Sequence, residues 1–492
     1  MPDPVAAYHQ LSSYDRMRME PHIMDWDNEP SVYKHYSGRH VVPLPPEVDI
    51  GPVSLTDLLQ RQHADQEAVL SRSSLSNILL LSEMLTARAR HAQGEIWFRS
   101  VASAGALYPN ELYVACPGIA GLAAGLYHYD IRKPALALIR SGNPLPALAG
   151  DERDGRPALV FLVSAIFFRS SWKYRDRAYR YHLLDSGHLL ENLSLALKAF
   201  SLSYEVMTDF NDDRVNGVLG VDPRREVCLV MVRVPLAVSS ECAADAETLE
   251  SAGSLPRYSQ VAGREKACQA VLDIHQASAA GPARPACRPG NRSAFGGLAK
   301  DLWQSLPSPS QPAACPYPDV LLHRRSKRNF VVREPLPPEH LSALLGMLAA
   351  DDGEQKGPSL ISTAVVLGNV AGFEPGLYGV APGAGAVVPV AAGNFSRHLA
   401  HACLDQQWMA AADLHLLFFA DLDEIVSAAG FRGYRQALVA AGRMGQRLYL
   451  GASSMGLGCC AVGAFYDREA IELLGFDDRL KLLYVVAVGR TK

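Results

Sequence analysis

The chain has 492 residues, 48% hydrophobic and 20% charged, with a formal net charge of −4. This is globular composition with room for roughly two to four domains, and its balanced charge excludes the basic surface that nucleic acid or an anionic membrane demands. Residues 1–20 are mostly polar, and the most apolar stretch, 158–168, is far too short to span a bilayer, so neither a signal peptide nor a membrane segment is expected.

Nine cysteines, at 116, 228, 242, 268, 287, 315, 403, 459 and 460, include no Cys-x-x-Cys pair. The odd number and scattered spacing argue against a zinc site or a disulfide framework and point to a reducing, cytoplasmic setting with no metal. Cys459 and Cys460 read as buried small hydrophobes rather than a redox pair.

In chain order, residues 75–87 have helical spacing, 111–116 and 158–168 read as strands, 182–200 as a long amphipathic helix and 227–234 as an apolar strand. Residues 238–318 are rich in Ala, Ser, Pro and Gly, with a helical interlude at 267–277 that includes His275. A helix at 341–350, a long helix at 434–455 and an apolar strand at 482–488 follow. Helices and strands without regular βαβ alternation predict an α+β fold.

The chain repeats itself. Leu58-Leu59-Gln60-Arg61 lies over Leu321-Leu322-His323-Arg324, and Met84-Leu85-Thr86-Ala87 over Met347-Leu348-Ala349-Ala350, at an offset of 263. Gly125-Leu126-Tyr127 matches Gly376-Leu377-Tyr378 at 251. Arg177-Ala178-Tyr179-Arg180 matches Arg432-Gly433-Tyr434-Arg435, and Leu219-Gly220-Val221-Asp222 matches Leu474-Gly475-Phe476-Asp477, both at 255. The expected organisation is a first copy with an N-terminal arm over 1–237, a linker over 238–318 and a second copy over 319–492. The two fused copies would form one pseudo-twofold interface within the chain.

The copies differ where chemistry would sit. In an extended segment Arg324, Ser326 and Arg328 share one face, two guanidinium groups flanking a hydroxyl, a donor set suited to phosphate. Alone, the same residues read more readily as a solvated basic turn before a helix. The first copy has Arg61-Gln62-His63-Ala64-Asp65, whose carboxylate would repel phosphate. Arg490 follows the last strand of copy two, whereas Val234-Pro235 stand there in copy one. Copy one instead keeps a longer loop, 99–109, and Trp172-Lys173-Tyr174, whose counterparts are Ser427, Ala428 and Ala429. One composite site at the interface accounts for this division better than two separate sites.

The strings SAGALYPNELYV, WKYRDRAYRYHLLDSGH, RRSKRNF and QRLYLGASSMGLG together resemble the SagB/ThcOx-type dehydrogenases, the azoline dehydrogenase branch of the FMN-dependent nitroreductase superfamily. The resemblance implies two nitroreductase-like domains and one FMN at their interface. It implies that Arg324, Ser326, Arg328 and Arg490 hold the phosphate, and that Ser103, Ala104 and Gly105 meet the flavin from the other half. Gly463 and Ala464, before Phe465, would offer a backbone N–H to flavin N5. Ala102 departs from the proline usual before the loop serine.

Lys173 and Tyr174 resemble the pair that handles the substrate proton in azoline dehydrogenases. Removing a carbon-bound proton needs a base near neutrality, which a desolvated lysine can supply. The alternative is a basic, aromatic turn making structural contacts. His182, Asp185 and His188 read as helix residues packed against the other copy rather than as metal ligands. Asn192 resembles a helix position that is often polar in this family, and its counterpart is Arg447.

The implied reaction is a two-electron dehydrogenation, azoline to azole, on a modified peptide or nonribosomal product. Its substrate would be a small molecule or a peptide on a carrier or leader, with no nucleic acid or membrane partner, and a further homodimer stays open. The alternatives are an NAD(P)H-dependent reductase of nitro or quinone-type compounds, and a flavin-free scaffold in a biosynthetic complex.

Overall fold

The computed structural model describes residues 3–61, 67–91, 94–149, 157–237, 249–279, 295, 300–309, 315–349, 359 and 361–492. The eroded clamp at 62–65, together with Cys242 and Cys287, lies outside the described residues.

Two seven-stranded sheets share one strand order, with every neighbouring pair antiparallel. The first runs Val41–Pro43, Ala135–Ser141, Gly125–Asp130, Asn110–Cys116, Ala158–Ile166, Glu226–Pro235 and Glu205–Met207. The second runs Gln304–Ser305, Ala386–Ala392, Gly376–Val380, Ser362–Leu367, Leu414–Asp421, Leu480–Gly489 and Gly458–Val462. The repeat read from short landmarks is thus a repeat of topology. Every residue of Ala158–Ile166 is buried, which explains why that strand reads as an unbroken apolar run.

Helices Ala178–Ala199 and Arg432–Ser454 cross at the centre, and nearly all their residues are buried. The crossing requires glycine. A Cβ on Gly187 would fall 2.1 Å from the Val439 carbonyl oxygen, and one on Gly442 would fall 2.1 Å from that of Leu184. Gly187 and Gly442 are equivalent positions at the 255 offset, so the pseudo-twofold axis runs between them.

The same symmetry explains the Arg-x-Tyr-Arg landmark. Arg177 and Arg180 each reach Asp467 of copy two at 2.6 Å, while Arg432 and Arg435 reach Asp212 of copy one at 2.6 and 2.8 Å. Asp212 and Asp467 are themselves equivalent at 255. Across the interface Glu191 accepts from Arg443 and Arg447 at 2.8 and 2.6 Å. His188 meets Gln446 at 2.8 Å and Tyr484 at 3.0 Å, the packing role expected of it.

Two stretches differ from expectation. Residues 85–87 leave the helix, which ends at Ser82, and enter a two-stranded hairpin of Leu85–His91 with Gly94–Arg99. Glu83 turns extended, and pairing with 94–99 outweighs the local helical spacing. The segment read as a linker is partly built into the fold. Leu255 joins the core of copy one, helix Gln269–Ala279 buries Val271 and Ile274, and Gln304–Ser305 forms the outermost strand of the second sheet.

The N-terminal arm straps both copies. Tyr14 N–H and the Arg16 side chain bind Asp467 and Glu469 of copy two, and farther on the Trp172 indole donates to the Asp25 carbonyl and meets the Trp26 ring edge-on. Buried Lys34 then pairs with Glu226, which also accepts from Tyr113 and Ser164. Among the described residues no helix is long and apolar enough to cross a membrane.

Candidate functional site

Helix Phe167–Tyr174 ends with Lys173 and Tyr174 in its last turn, and the chain then turns sharply at Arg175, a non-glycine residue at φ 47°. Across from them runs the loop after the hairpin, with Gly105, Ala106 and Tyr108 at φ 66°, 55° and 44°. A Cβ on Gly105 would lie 2.7 Å from the Tyr174 hydroxyl and 3.2 Å from the Lys173 ammonium, so only glycine admits this approach.

The second copy closes the arrangement. Tyr174 packs on Tyr181 with ring centroids 4.4 Å apart, and a Cβ on Gly463 would fall 2.7 Å from the Tyr181 ring. Arg177 fixes the Gly463 carbonyl at 3.0 Å. Ala464 follows directly. Burial, and after it the positive charge of Arg328, lowers the Lys173 pKa. Burial raises that of Tyr174, with the Asp185 carboxylate adding to it, so the phenol stays protonated. Gly105, Lys173 and Tyr174 of the first half are thus brought together, with Arg328 of the second half near enough to act on Lys173 and Gly463 against Tyr181.

The remaining clamp residues sit differently from a simple open fork. Arg324 is buried and reaches into copy one, donating to the carbonyls of Ser100 at 2.6 Å and Arg99 at 2.9 Å. Its third nitrogen, Nη1, is buried without a hydrogen-bond partner among the described residues. Ser326 is exposed and shares a hydrogen bond of 2.9 Å with the Tyr449 hydroxyl. Arg328 is exposed beside the Trp408 ring. Arg490 lies on the neighbouring strip, where its carbonyl accepts from Val331 N–H at 3.0 Å, but its guanidinium is spent on the carbonyls of Glu334 and Pro335.

These residues fit FMN. A buried guanidinium nitrogen is left to donate and an exposed Ser–Arg pair follows it, the donor set that the FMN phosphate would need. The first-copy counterpart does not fit. Arg61 caps the end of helix Ala178–Ala199, donating to the carbonyls of Lys198 and Ala199 at 3.0 and 3.3 Å.

Asp185 is the site residue that the sequence reading missed. Its buried carboxylate accepts the Ser103 hydroxyl at 2.6 Å and lies 3.3 Å from the Ala104 N–H. Burial raises its pKa to about 7, against the lowering effect of those two bonds. The available signal was asymmetry, because Ala440 stands at the equivalent position in copy two. His182 lies in the core, with its ring nitrogen 3.2 Å from the Phe167 carbonyl. A cavity of 840 Å³ lined by Tyr33, Met84, Trp97 and Leu322 includes none of the candidate residues.

Comparison with known proteins matches the nitroreductase family twice, over residues 66–234 and 321–490. The chain belongs to the nitroreductase family. The second match includes Arg324, Ser326, Arg328 and Arg490, whereas the first begins past Arg61. A protein of Methanocaldococcus jannaschii named as a nitroreductase, MJ1384, is 33% identical over 181 residues, 35% of this chain and 89% of its own length. The trifolitoxin-processing protein TfxB of Rhizobium leguminosarum bv. trifolii is 29% identical over 223 residues, 42% of this chain and 60% of its own. The microcin B17-processing protein McbC of Escherichia coli is 29% identical over 142 residues, 27% of this chain and 52% of its own. The chain thus spans only part of the two processing proteins. A crystal structure from Anabaena variabilis, also named as a nitroreductase, superimposes with a TM-score of 0.81 at 26% identity over 100% of both chains.

Proposed function

We propose that this protein is an FMN-dependent dehydrogenase that oxidises an azoline to an azole on a modified peptide or nonribosomal product. The carrying observation is the Lys173–Tyr174 pair held against Gly105, with burial and, after it, Arg328 of the other half lowering the lysine pKa. Bound FMN would supply the two-electron acceptor. Aromatisation removes one proton from ring carbon and one hydride, so a base must meet the proton. Lys173, shifted toward its neutral form, would accept it, and Tyr174, kept protonated, would donate a hydrogen bond to the substrate ring. Arg324, Ser326 and Arg328 would hold the phosphate, without the expected Arg490, whose guanidinium is engaged by the Glu334 and Pro335 carbonyls, and the Gly463–Ala464 backbone would face the flavin ring. The likeness to TfxB and McbC, both named for processing a peptide product, supports the peptide substrate.

An absorption spectrum of the purified protein tests the cofactor. Arg324→Ala with Arg328→Ala should abolish flavin retention, whereas Lys173→Ala should stay yellow and lose turnover. A colourless protein that cannot be reconstituted with FMN would sink the proposal. The full-length likeness to the Anabaena variabilis protein favours a second reading, a reductase drawing on NAD(P)H. Rapid flavin reduction by NAD(P)H would support it, while reduction only by an azoline-bearing substrate would support dehydrogenation.

A further inference from the structure

The loop 103–108 is a strained element. Ala106 and Tyr108 adopt left-handed backbone at φ 55° and 44°, which costs a residue with a side chain about 1 kcal/mol or more at each position. Such a conformation persists only where surrounding contacts impose it. The contacts here converge on one carboxylate. Ser103 donates its hydroxyl proton to Asp185 at 2.6 Å while its oxygen accepts the Tyr108 N–H at 2.9 Å, and Ala104 N–H points at both Asp185 oxygens at 3.3 Å. The two ends of the strained turn are therefore tied through Ser103 to a side chain on the central helix.

Nothing else in the surroundings accounts for a buried carboxylate at this place. Among the described residues no cation pairs with Asp185, and its charge is felt by the phenols of Tyr174 and Tyr484. The residue is present only in the half that keeps the loop and the lysine–tyrosine pair, since Ala440 replaces it in copy two.

We propose that Asp185 is the positioning residue of the composite site, fixing the 103–108 loop and thereby setting Gly105 against Lys173 and Tyr174. Its consequence for FMN affinity rests on the proposed flavin function; its effect on the loop does not. Asp185 would touch neither substrate nor flavin and would act through Ser103 and Ala104 alone.

A double-mutant cycle of Ser103→Ala and Asp185→Asn tests this in the full chain. Amide hydrogen exchange over residues 104–108, measured without added flavin, should speed up by about tenfold in each single variant, the worth of one hydrogen bond to a charged group. The double variant should exchange more slowly than the product of the two single effects, because the Ser103–Asp185 bond is common to both variants while the Ala104 and Tyr108 N–H bonds are not. In parallel, the FMN dissociation constant from flavin fluorescence should rise by a similar factor in each. Unchanged exchange in both singles overturns the proposal. So do additive effects, or a speeding spread along the whole 178–199 helix, since either marks a general structural role. Ser103→Ala removes one hydroxyl from a half-exposed loop, so it remains informative if Asp185→Asn folds poorly. If the wild type binds no FMN, the proposed function fails while the exchange cycle still decides the role of Asp185.

Discussion

Gly105 and Tyr174 approach so closely that a methyl group on the glycine would sit 2.7 Å from the phenol oxygen. Gly105→Ala should therefore push the Lys173–Tyr174 pair aside, on a backbone already at φ 66°. Turnover should fall by about a hundredfold, as displacements near 1 Å do, while the melting temperature moves little because the loop borders the core. Steady-state rates beside a thermal scan check both parts.

Arg328 lends part of the depression of the Lys173 pKa. Removing a neighbouring positive charge favours the charged ammonium, so Arg328→Ala should raise that pKa. The acidic limb of the pH–rate profile for substrate dehydrogenation, where the base must lose its proton, should then move to higher pH, measured at saturating FMN to offset the weakened grip. A profile that stays in place would dissociate Arg328 from the base.

Among the described residues Arg61 binds only the last carbonyls of its own copy's central helix and Ser201. Arg61→Ala should leave the flavin bound and cost about 1 kcal/mol of stability, the usual worth of a cation at a helix C-terminus. Loss of the yellow colour in this variant would mean that the phosphate site belongs to the other half.

Gly442→Ala, or Gly187→Ala, places a methyl group 2.1 Å from a helix carbonyl oxygen of the facing copy. Neither backbone can yield without separating the two copies. The expected cost is roughly 3 kcal/mol or more, read as a large fall in melting temperature or as failure to accumulate folded protein.

Four buried histidines should make the fold sensitive to acid. Burial lowers the pKa of His182 and His275 to about 3 and that of His188 and His415 to about 4. A lowered histidine pKa means that the unfolded chain binds more protons than the folded one below an ordinary value of about 6.5. Their contribution is full above that pH and is lost as pH falls toward 4. Asp185 opposes them, because its raised pKa favours the protonated folded form between about 4 and 7. Denaturant midpoints should thus drop from pH 7 to pH 4.5, and more steeply in Asp185→Asn.

The sequence made the strands and the repeat legible because central strands buried on both faces leave continuous apolar runs, as at 158–166 and 414–421. Landmarks such as Arg177-Ala178-Tyr179-Arg180 were visible, but their purpose was not. Their partner, Asp467, lies in the opposite copy, and no local pattern encodes a pairing across the pseudo-twofold axis. Asymmetry between the copies singles out the lysine–tyrosine pair and the glycine loop, and the roles expected of them come from the family resemblance. Asp185 reads from sequence as a packing residue because a lone acid on a helix looks the same whether it holds a loop or simply packs. The reach of Arg324 into the Arg99–Ser100 carbonyls was hidden for a similar reason, since backbone acceptors leave no trace in residue identity.

The glycine crossing and the shared aspartates hold together two bodies that are also covalently joined. An assembly of separate subunits loses a shared site on dilution, and it must carry every substitution twice. Here the partner's local concentration is set by the tether rather than by the solution. The composite site should therefore stay assembled at nanomolar protein, and each half has been free to change alone. That freedom is recorded in the chain itself, where one half keeps Arg328 without the loop and the other keeps Lys173 without the clamp.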